Sequence, residues 1–490
     1  MLYAQQLFLL FKLAFSPVIV YYINDTEKRV KNMKLTFAGD SLVRKLMGTQ
    51  KVSPEKKYRW SDFAFPFKHE GKNYIFNNLN KRCYEIEENG ITVDRDARFS
   101  CDEIAADKNL TVLLADAFLV PESKLEWKDY ETLLRIMRIT KDRVQTKGYK
   151  SFIILPTTTC NARCVYCFEQ GTKYITMTED IVDQTIRFIL NNAAPNEKIK
   201  LTWFGGEPLI GEKTIDKITD AVRAAGIDFS SVIVTNGSLV TSEIADKMVN
   251  RWNVDHLQIT LDGVEEEYNR RKNYYFNYES AYWHVLGRIK LINDKGIFLC
   301  IRVNIDEKNA DGVKEMIDDI RPFISQPDRI VFDLVPLFDV QNREEGVVVW
   351  EKLFDLLYYI DTTEFSGAPH GNTRSLKLRH CMAEAPHKAV TIAPDGKLYN
   401  CENVDSFESI GTVFEGVTNA AAVKSFSNIE KTAEKCKGCL SLPVCTTFTQ
   451  CKNPSLHCKF TKERYLEYAL KKRLDNDDAP DMDEYSDDDE

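Results

Sequence analysis

The stretch SFIILPTTTCNARCVYCFEQ, residues 151–170, decides the fold. Its first five residues form an apolar run of the kind found in a strand buried on both faces. Beyond that run, Cys160, Cys164 and Cys167 stand in a CxxxCxxC spacing on one tight loop. Three thiolates can hold a [4Fe–4S] cluster, which takes one ligand per iron and is then left with one iron open to a substrate or cofactor. Structural zinc is the competing reading, and it normally takes four protein ligands, one more than this loop offers.

Outward from this loop, apolar runs alternate with amphipathic helical stretches from Ser151 to about Leu337, the pattern of a parallel sheet built from βα units. The expected strands are 151–155, 199–204, 231–235, 256–261, 298–305 and 329–337. Six units predict an α/β fold, a partial (β/α)6 TIM-like barrel over 151–340. Chemistry in such barrels gathers at the carboxyl ends of the strands, here the loops after Leu155, Phe204, Thr235, Leu261 and Asn304.

A small N-terminal α/β module is expected over 34–150, with an apolar-aromatic run from Tyr74 to Asn78. Helical spacing is read in TVLLADAFLV (111–120) and DYETLLRIMRI (129–139). The module is either a structural cap or a peptide-binding platform. Residues 341–380 read as a helical and then Gly/Pro/Asn-containing bridge. From 381 to 461 cysteines dominate and long apolar runs are few, so metal is expected to stand in for a core. A final helix at 460–474 leads, within a terminal segment 462–490, into an acidic tail with the composition of a solvated, disordered end.

At 490 residues and 43% hydrophobic, the chain has material for about three domains, which excludes a disordered or fibrous protein. Its net charge of −9 is misleading, because residues 475–490 hold ten carboxylates and no base, and the remainder is nearly neutral. No electrostatic case exists for a nucleic-acid partner. Thirteen cysteines, seven of them between Cys381 and Cys458, suit metal ligation in a reducing cytoplasm better than a secreted disulfide scaffold. The apolar residues 1–23 are interrupted by Gln5, Gln6 and Lys12, and Pro17 would kink a helix, so no membrane anchor is expected. Met33 precedes LTFAGDSL, and residues 1–32 read as an over-extended translation start, a segment apart at 1–33.

The cysteine loop, with Tyr166 before its third cysteine, resembles the radical S-adenosylmethionine (SAM) superfamily. Gly205-Gly206-Glu207-Pro208 after the second strand resembles the family's GGE motif, whose backbone and carboxylate face the SAM amino group. Thr235-Asn236-Gly237, Asp262-Gly263 and Arg302-Val303-Asn304 resemble its SAM and substrate rim. The resemblance implies SAM bound to the open iron, glycines that let the backbone approach it, and Glu207 offering an ammonium a charge-assisted hydrogen bond. It also implies an electron donor such as flavodoxin or ferredoxin, and reductive cleavage of SAM to a 5′-deoxyadenosyl radical.

The second cysteine group runs Cys381, Gly396, Cys401, Cys436-x₂-Cys439-x₅-Cys445-x₅-Cys451-x₆-Cys458. A zinc ribbon built on the CxxC pair would strand the other five thiols. The group resembles the SPASM domain, which binds two auxiliary [4Fe–4S] clusters. The resemblance implies Cys436, Cys439, Cys445 and Cys458 on the outer cluster and Cys381, Cys401 and Cys451 on the inner one. The five residues between Cys445 and Cys451 depart from the usual three, and Ser375 stands where some members have an extra ligand. An open iron on the inner cluster is therefore expected, with His380 as a competing ligand.

SPASM-bearing radical enzymes most often modify peptides or proteins. The expectation is a peptide maturase that abstracts a hydrogen and forms a crosslink such as a thioether, with the N-terminal module binding a leader peptide by strand addition. An anaerobic sulfatase-maturing enzyme is the alternative; its relatives place an aspartate base after the cysteine where Glu402 stands here. An iron–sulfur electron-transfer protein would need no SAM. Cys83, Cys101 and Cys300 read as structural thiols.

Overall fold

The computed structural model describes residues 33–54, 56–87, 93–143, 147–171, 173–276, 278–337, 345–368, 373–374, 388–425, 436–444 and 458–475. The chain divides into two compact units, Met1–Tyr130 with Arg374–Leu376, and Glu131–Thr373 with Lys377–Glu490. Among the described residues, no helix is long and apolar enough to cross a membrane.

The first unit holds β1 (Met33–Ala38), β2 (Tyr58–Trp60), β3 (Ala64–His69), β4 (Lys72–Asn77), β5 (Arg82–Ile86), β6 (Arg98–Phe99) and β7 (Leu119–Pro121). An antiparallel sheet of order β1-β5-β4-β3 lies beside a smaller one of order β6-β2-β7. Helices α1 (Ser41–Met47), α2 (Cys101–Ala106) and α3 (Lys108–Ala115) complete it, and Cys83 is fully buried in β5. The helix expected over 111–120 ends at Ala115, and its last residues enter β7. Asp116 causes the break: its carboxylate is taken by Arg82 and Tyr84 of β5, and Ala117 turns to φ 59°. The Phe118 N–H then closes the helix end on the Leu113 carbonyl at 2.8 Å. Helix α4 (Glu126–Arg143) starts in this unit and runs into the second.

The second unit is built on β8 (Ser151–Ile154), β9 (Ile199–Trp203), β10 (Phe229–Thr235), β11 (Val254–Thr260), β12 (Phe298–Ile305) and β13 (Ile330–Pro336), paired in parallel in chain order. These are the six strands read from the sequence. Between them run α5 (Glu179–Asn192), α6 (Glu212–Ala224), α7 (Ser242–Asn250), α8 (Glu265–Lys272), α9 (Ala281–Asp294) and α10 (Val313–Ile320). Leu201, Ile233, Leu257, Ile301 and Phe332 are fully buried on the helix-covered face. Alternating residues such as Thr202, Gln258 and Arg302 face the other side, into the barrel. Cys300, 8% exposed, lies on β12 as expected.

The sheet does not stop at six strands. Helix α11 (Glu345–Ile360) precedes β14 (Ser366–Gly367), which pairs with β13. At the other edge β15 (Ala389–Ile392) runs parallel to β8, from Ala389 opposite Ser151 to Ile392 opposite Ile154. Then β16 (Lys397–Tyr399), β17 (Gly411–Thr412) and β18 (Gly416–Val417) follow antiparallel, giving eleven strands, with α12 (Ala420–Ser425) after them. Val390, Ile392, Leu398, Ile410 and Val413 join the barrel's core cluster. This corrects the expectation that the cysteine-rich region lacks an apolar core: its described residues from Val390 to Val413 borrow the barrel's. Helix α13 (Cys458–Asp475) packs Tyr465 between Trp350 and Phe354 of α11, with ring centroids 5.7 and 4.9 Å away.

Near the start of β11, His256 stacks on Phe298 at 5.3 Å, and burial pushes its imidazole down from 6.5 to about 4. The native state keeps this ring neutral while the unfolded chain takes a proton below 6.5, so its contribution is lost as pH falls from 6.5 toward 4. Substituting His256→Phe should flatten urea stability between pH 6.5 and 5. The full shift is worth roughly 3 kcal/mol at most, read from tryptophan fluorescence; an unchanged pH slope would contradict the assignment.

Candidate active site

The run Pro156-Thr157-Thr158-Thr159 leaves β8 and is clamped by its own hydroxyls. Thr157 Oγ1 donates to the Ile175 carbonyl at 3.0 Å and Thr158 Oγ1 to the Lys173 carbonyl at 2.7 Å. The carbonyls of Thr157 and Thr159 are then free to accept the Gly206 N–H (3.1 Å) and the Glu207 N–H (3.0 Å). A Cβ on Gly205, at φ +113°, would stand 2.4 Å from the Thr157 oxygen, and one on Gly206 2.5 Å from the oxygens of Thr158 and Thr159. At this junction the two glycines admit the backbone of the cysteine loop, and Pro208 after them opens a 3-10 turn, Pro208–Gly211, in which Pro208, Leu209 and Gly211 are buried.

Glu207 is fully buried beneath this junction. Its Oε1 accepts the Thr235 hydroxyl at 2.7 Å and the Leu209 N–H at 3.1 Å, and its Oε2 accepts the Asn236 N–H at 2.8 Å. Burial raises its pKa, with the Thr235 hydrogen bond as the first opposing effect. Asn236 passes the link onward: its Nδ2 donates to Asn161 Oδ1 at 2.8 Å and lies 3.9 Å from Cys160 Sγ. Asn161 in turn donates to Ser238 Oγ at 2.9 Å.

On the far side of the loop, Asp262 is fully buried. Its Oδ1 accepts the backbone N–H of Asn304 at 3.0 Å and the side-chain amide at 3.2 Å, while its Oδ2 takes the Tyr166 hydroxyl. Asp262, at the carboxyl end of β11, thus tethers the loop to β12. Arg302 pairs with Asp333 of β13 at 3.0 Å, and a third of its side chain is exposed toward the barrel interior.

Cys160, Cys164 and Cys167 are free, half-buried thiols. Burial, with smaller contributions from Glu207, Cys164 and Cys167, raises Cys160 to about 11. Cys160 Sγ also accepts the Ala162 N–H at 3.4 Å, a bond that favours a thiolate. Three soft sulfur donors on one rigid loop, with N–H groups aimed at one of them, fit a [4Fe–4S] cluster. Residues 154–320 match the radical SAM superfamily. They form a radical SAM domain. That domain implies a [4Fe–4S] cluster and SAM, which together supply radical chemistry when bound.

Two curated relatives extend the similarity beyond this domain. The radical SAM cyclopropyl synthase TigE of Paramaledivibacter caminithermalis is 21% identical over 62% of this chain and 69% of its own length. A cysteine-type anaerobic sulfatase-maturating enzyme of Clostridium novyi is 23% identical over 60% of this chain and 86% of its own. The solved structure of anSMEcpe with bound AdoMet shares the fold, with a TM-score of 0.53 and 17% identity over 66% of this chain and 98% of that one; another of its structures also holds the Cp18Cys peptide. The chain spans about two fifths of the length of other curated relatives it matches, 40% and 38% in two cases.

The second cysteine region meets the radical SAM domain along β8. Cys401 follows β16; its Sγ lies 3.6 Å from Glu402 Oε2 and accepts the Asn403 N–H at 3.5 Å. Val404 then packs against the cluster of Ile153, Leu155 and Ala389. Asp405 lies within electrostatic reach of Glu169, two residues past Cys167, and burial followed by that like charge raises Glu169 to about 7. Cys436 and Cys439 are joined by an N–H···O bond of 3.2 Å, and Cys458 opens α13. Cys381, Cys445, Cys451, His380, Ser375, residues 1–32 and the acidic tail beyond Asp475 lie outside the described residues.

The sequence reading missed Lys272, whose Nζ reaches Tyr166 Oη at 2.9 Å, and Asn161, because neither stands in a recognisable spacing. Gly206→Ala should break the junction and lower iron by about four per chain. Gly287→Ala, where an added Cβ meets nothing within 4 Å, should keep full iron content. Anaerobic reconstitution followed by metal analysis checks both.

Proposed function

We propose that this chain is a radical SAM enzyme that modifies a peptide. In this reading Cys160, Cys164 and Cys167 hold the SAM-binding cluster, and the C-terminal cysteines Cys381, Cys401, Cys436, Cys439, Cys445, Cys451 and Cys458 hold two auxiliary clusters. An external donor such as flavodoxin or ferredoxin supplies the electron. The 5′-deoxyadenosyl radical removes a hydrogen from the peptide, and a crosslink such as a thioether follows.

The observation that carries this reading is the approach of the second cysteine region to the first, seen in Val404 against the cluster of Ile153, Leu155 and Ala389 and in the electrostatic effect of Asp405 on Glu169. A peptide carbon held there would lie between the radical source and a second cluster able to take an electron from it. The likeness in fold to a peptide-bound anSMEcpe structure supports a peptide as the substrate class. The N-terminal sheet, with β1 and β3 at its edges, supplies backbone that an added strand can pair with.

The similarity to the Clostridium novyi enzyme supports a second reading, oxidation of a cysteine or serine to formylglycine. Glu402, beside Cys401, would then serve as the base in place of an aspartate. Glu402→Gln should abolish product in that case, whereas a crosslinking enzyme that does not use it keeps most of its rate.

Iron and sulfide per chain test the cofactor assignment directly. About 12 irons are expected in the native protein, and about 8 in a Cys160→Ala, Cys164→Ala, Cys167→Ala triple variant, which should form no 5′-deoxyadenosine from SAM and reductant. A native value near 4, with zinc in the C-terminal region, would end the auxiliary-cluster reading.

A further inference from the structure

Lys272 ends α8 in the run Arg270-Arg271-Lys272, which in sequence looks like a solvated basic helix end. The structure buries it to 2% exposure. Its Nζ lies 2.9 Å from Tyr166 Oη and 3.3 Å from Asp262 Oδ2, and 5.6 and 5.7 Å from the ring centroids of Tyr166 and Tyr268. The backbone of the same helix end grips the cysteine loop: the Lys272 carbonyl accepts the Arg163 N–H and the Arg271 carbonyl the Val165 N–H, both at 3.0 Å. Those two bonds bracket Cys164. The carbonyls that a helix leaves unpaired at its C-terminus are here satisfied by the loop that carries the thiols.

A buried ammonium is costly unless opposite charge surrounds it. Burial is the largest effect on Lys272 and works against its charge. Asp262, Tyr166 and Cys164 together more than reverse it, so the side chain stays cationic. Asp262 is anchored independently of Lys272, since Asn304 donates to it twice and Tyr166 once.

We propose that Lys272 is a positioning residue that fixes Tyr166 and sets a permanent positive charge beside Cys164, making the thiolate-bound centre easier to reduce. The inference rests on the reading that Cys160, Cys164 and Cys167 hold a [4Fe–4S] cluster. A cluster ligated by three thiolates gains further negative charge when reduced, and its potential follows local charge and hydrogen bonding. A fixed cation in a poorly screened site favours the reduced form, and the Asp262 carboxylate opposes it. Removing one or the other must therefore move the potential in opposite directions, whereas simple damage to the loop has no reason to do so.

The test is a redox titration of the reconstituted enzyme without SAM, following the EPR signal that the triple cysteine variant lacks. Lys272→Met should lower the midpoint and Asp262→Asn should raise it, each by about tenfold in the one-electron reduction constant, about 59 mV. Lys272→Arg should restore a value near wild type. Shifts of the same sign in the first two variants, or none in either at full iron content, would overturn the proposal. If Lys272→Met fails to load the cluster, the Asp262→Asn shift decides: a rise supports the proposal and its absence defeats it. The underlying reading fails separately, if the triple variant keeps all its iron and its EPR signals.

Discussion

A carboxylate with no exposure holds the site together. Glu207 receives hydrogen bonds from Thr235, Asn236 and Leu209, so the chain after β9 is tied to the end of β10. Through Asn236 and Asn161 the tie extends to the cysteine loop after β8. A carboxyl group buried this deeply is tolerable only with partners on its oxygens, and three donors are present. Because those donors come from neighbouring strand ends, the loops cannot drift separately. A cluster ligand such as Cys160 thereby inherits the rigidity of the parallel sheet.

Much of this was legible in the sequence because strands buried on both faces leave long apolar runs. FLCIRVNI and IVFDLVP announce themselves, and β8 to β13 appear where expected. The strands that escaped are short: β15 has four residues and β14, β17 and β18 two each, too few for any periodicity to be read. β15 and β14 form by pairing with β8 and β13, and β17 and β18 by pairing outward from β16, not through local preference. At the end of α3 the same limit appears in another form, since LLADAFLV continues a helical pattern that Asp116 breaks only because Arg82 and Tyr84 are folded beside it.

The site was legible in residue type and less so in role. Cysteine spacing located the loop, and the glycine-rich motif located its partner. What spacing does not reveal is which surface a glycine lies against. Gly205 and Gly206 approach protein backbone, a constraint visible only once Thr157, Thr158 and Thr159 have turned their carbonyls toward them. Lys272 is the converse case. A basic residue at a helix end is ordinarily solvated, and nothing local distinguishes it from Arg270, which stays on the surface paired with Glu267.

The joining of β15 to β8 bears on how two cysteine regions so far apart in sequence share one interior. Ile392 stands opposite Ile154, so the hairpin that leads to Cys401 is registered to the strand that leads to Cys160. A slip of one residue would turn every side chain of β15 to the opposite face and take Val390 and Ile392 out of the core. The burial of those two side chains therefore fixes the register, and with it the placement of Val404 against the cluster of Ile153, Leu155 and Ala389. Burial of Glu169, and then the like charge of Asp405, bring that carboxyl to about 7. Two like charges are kept near one another because the apolar pairing of the sheet leaves the loops that carry them no other course.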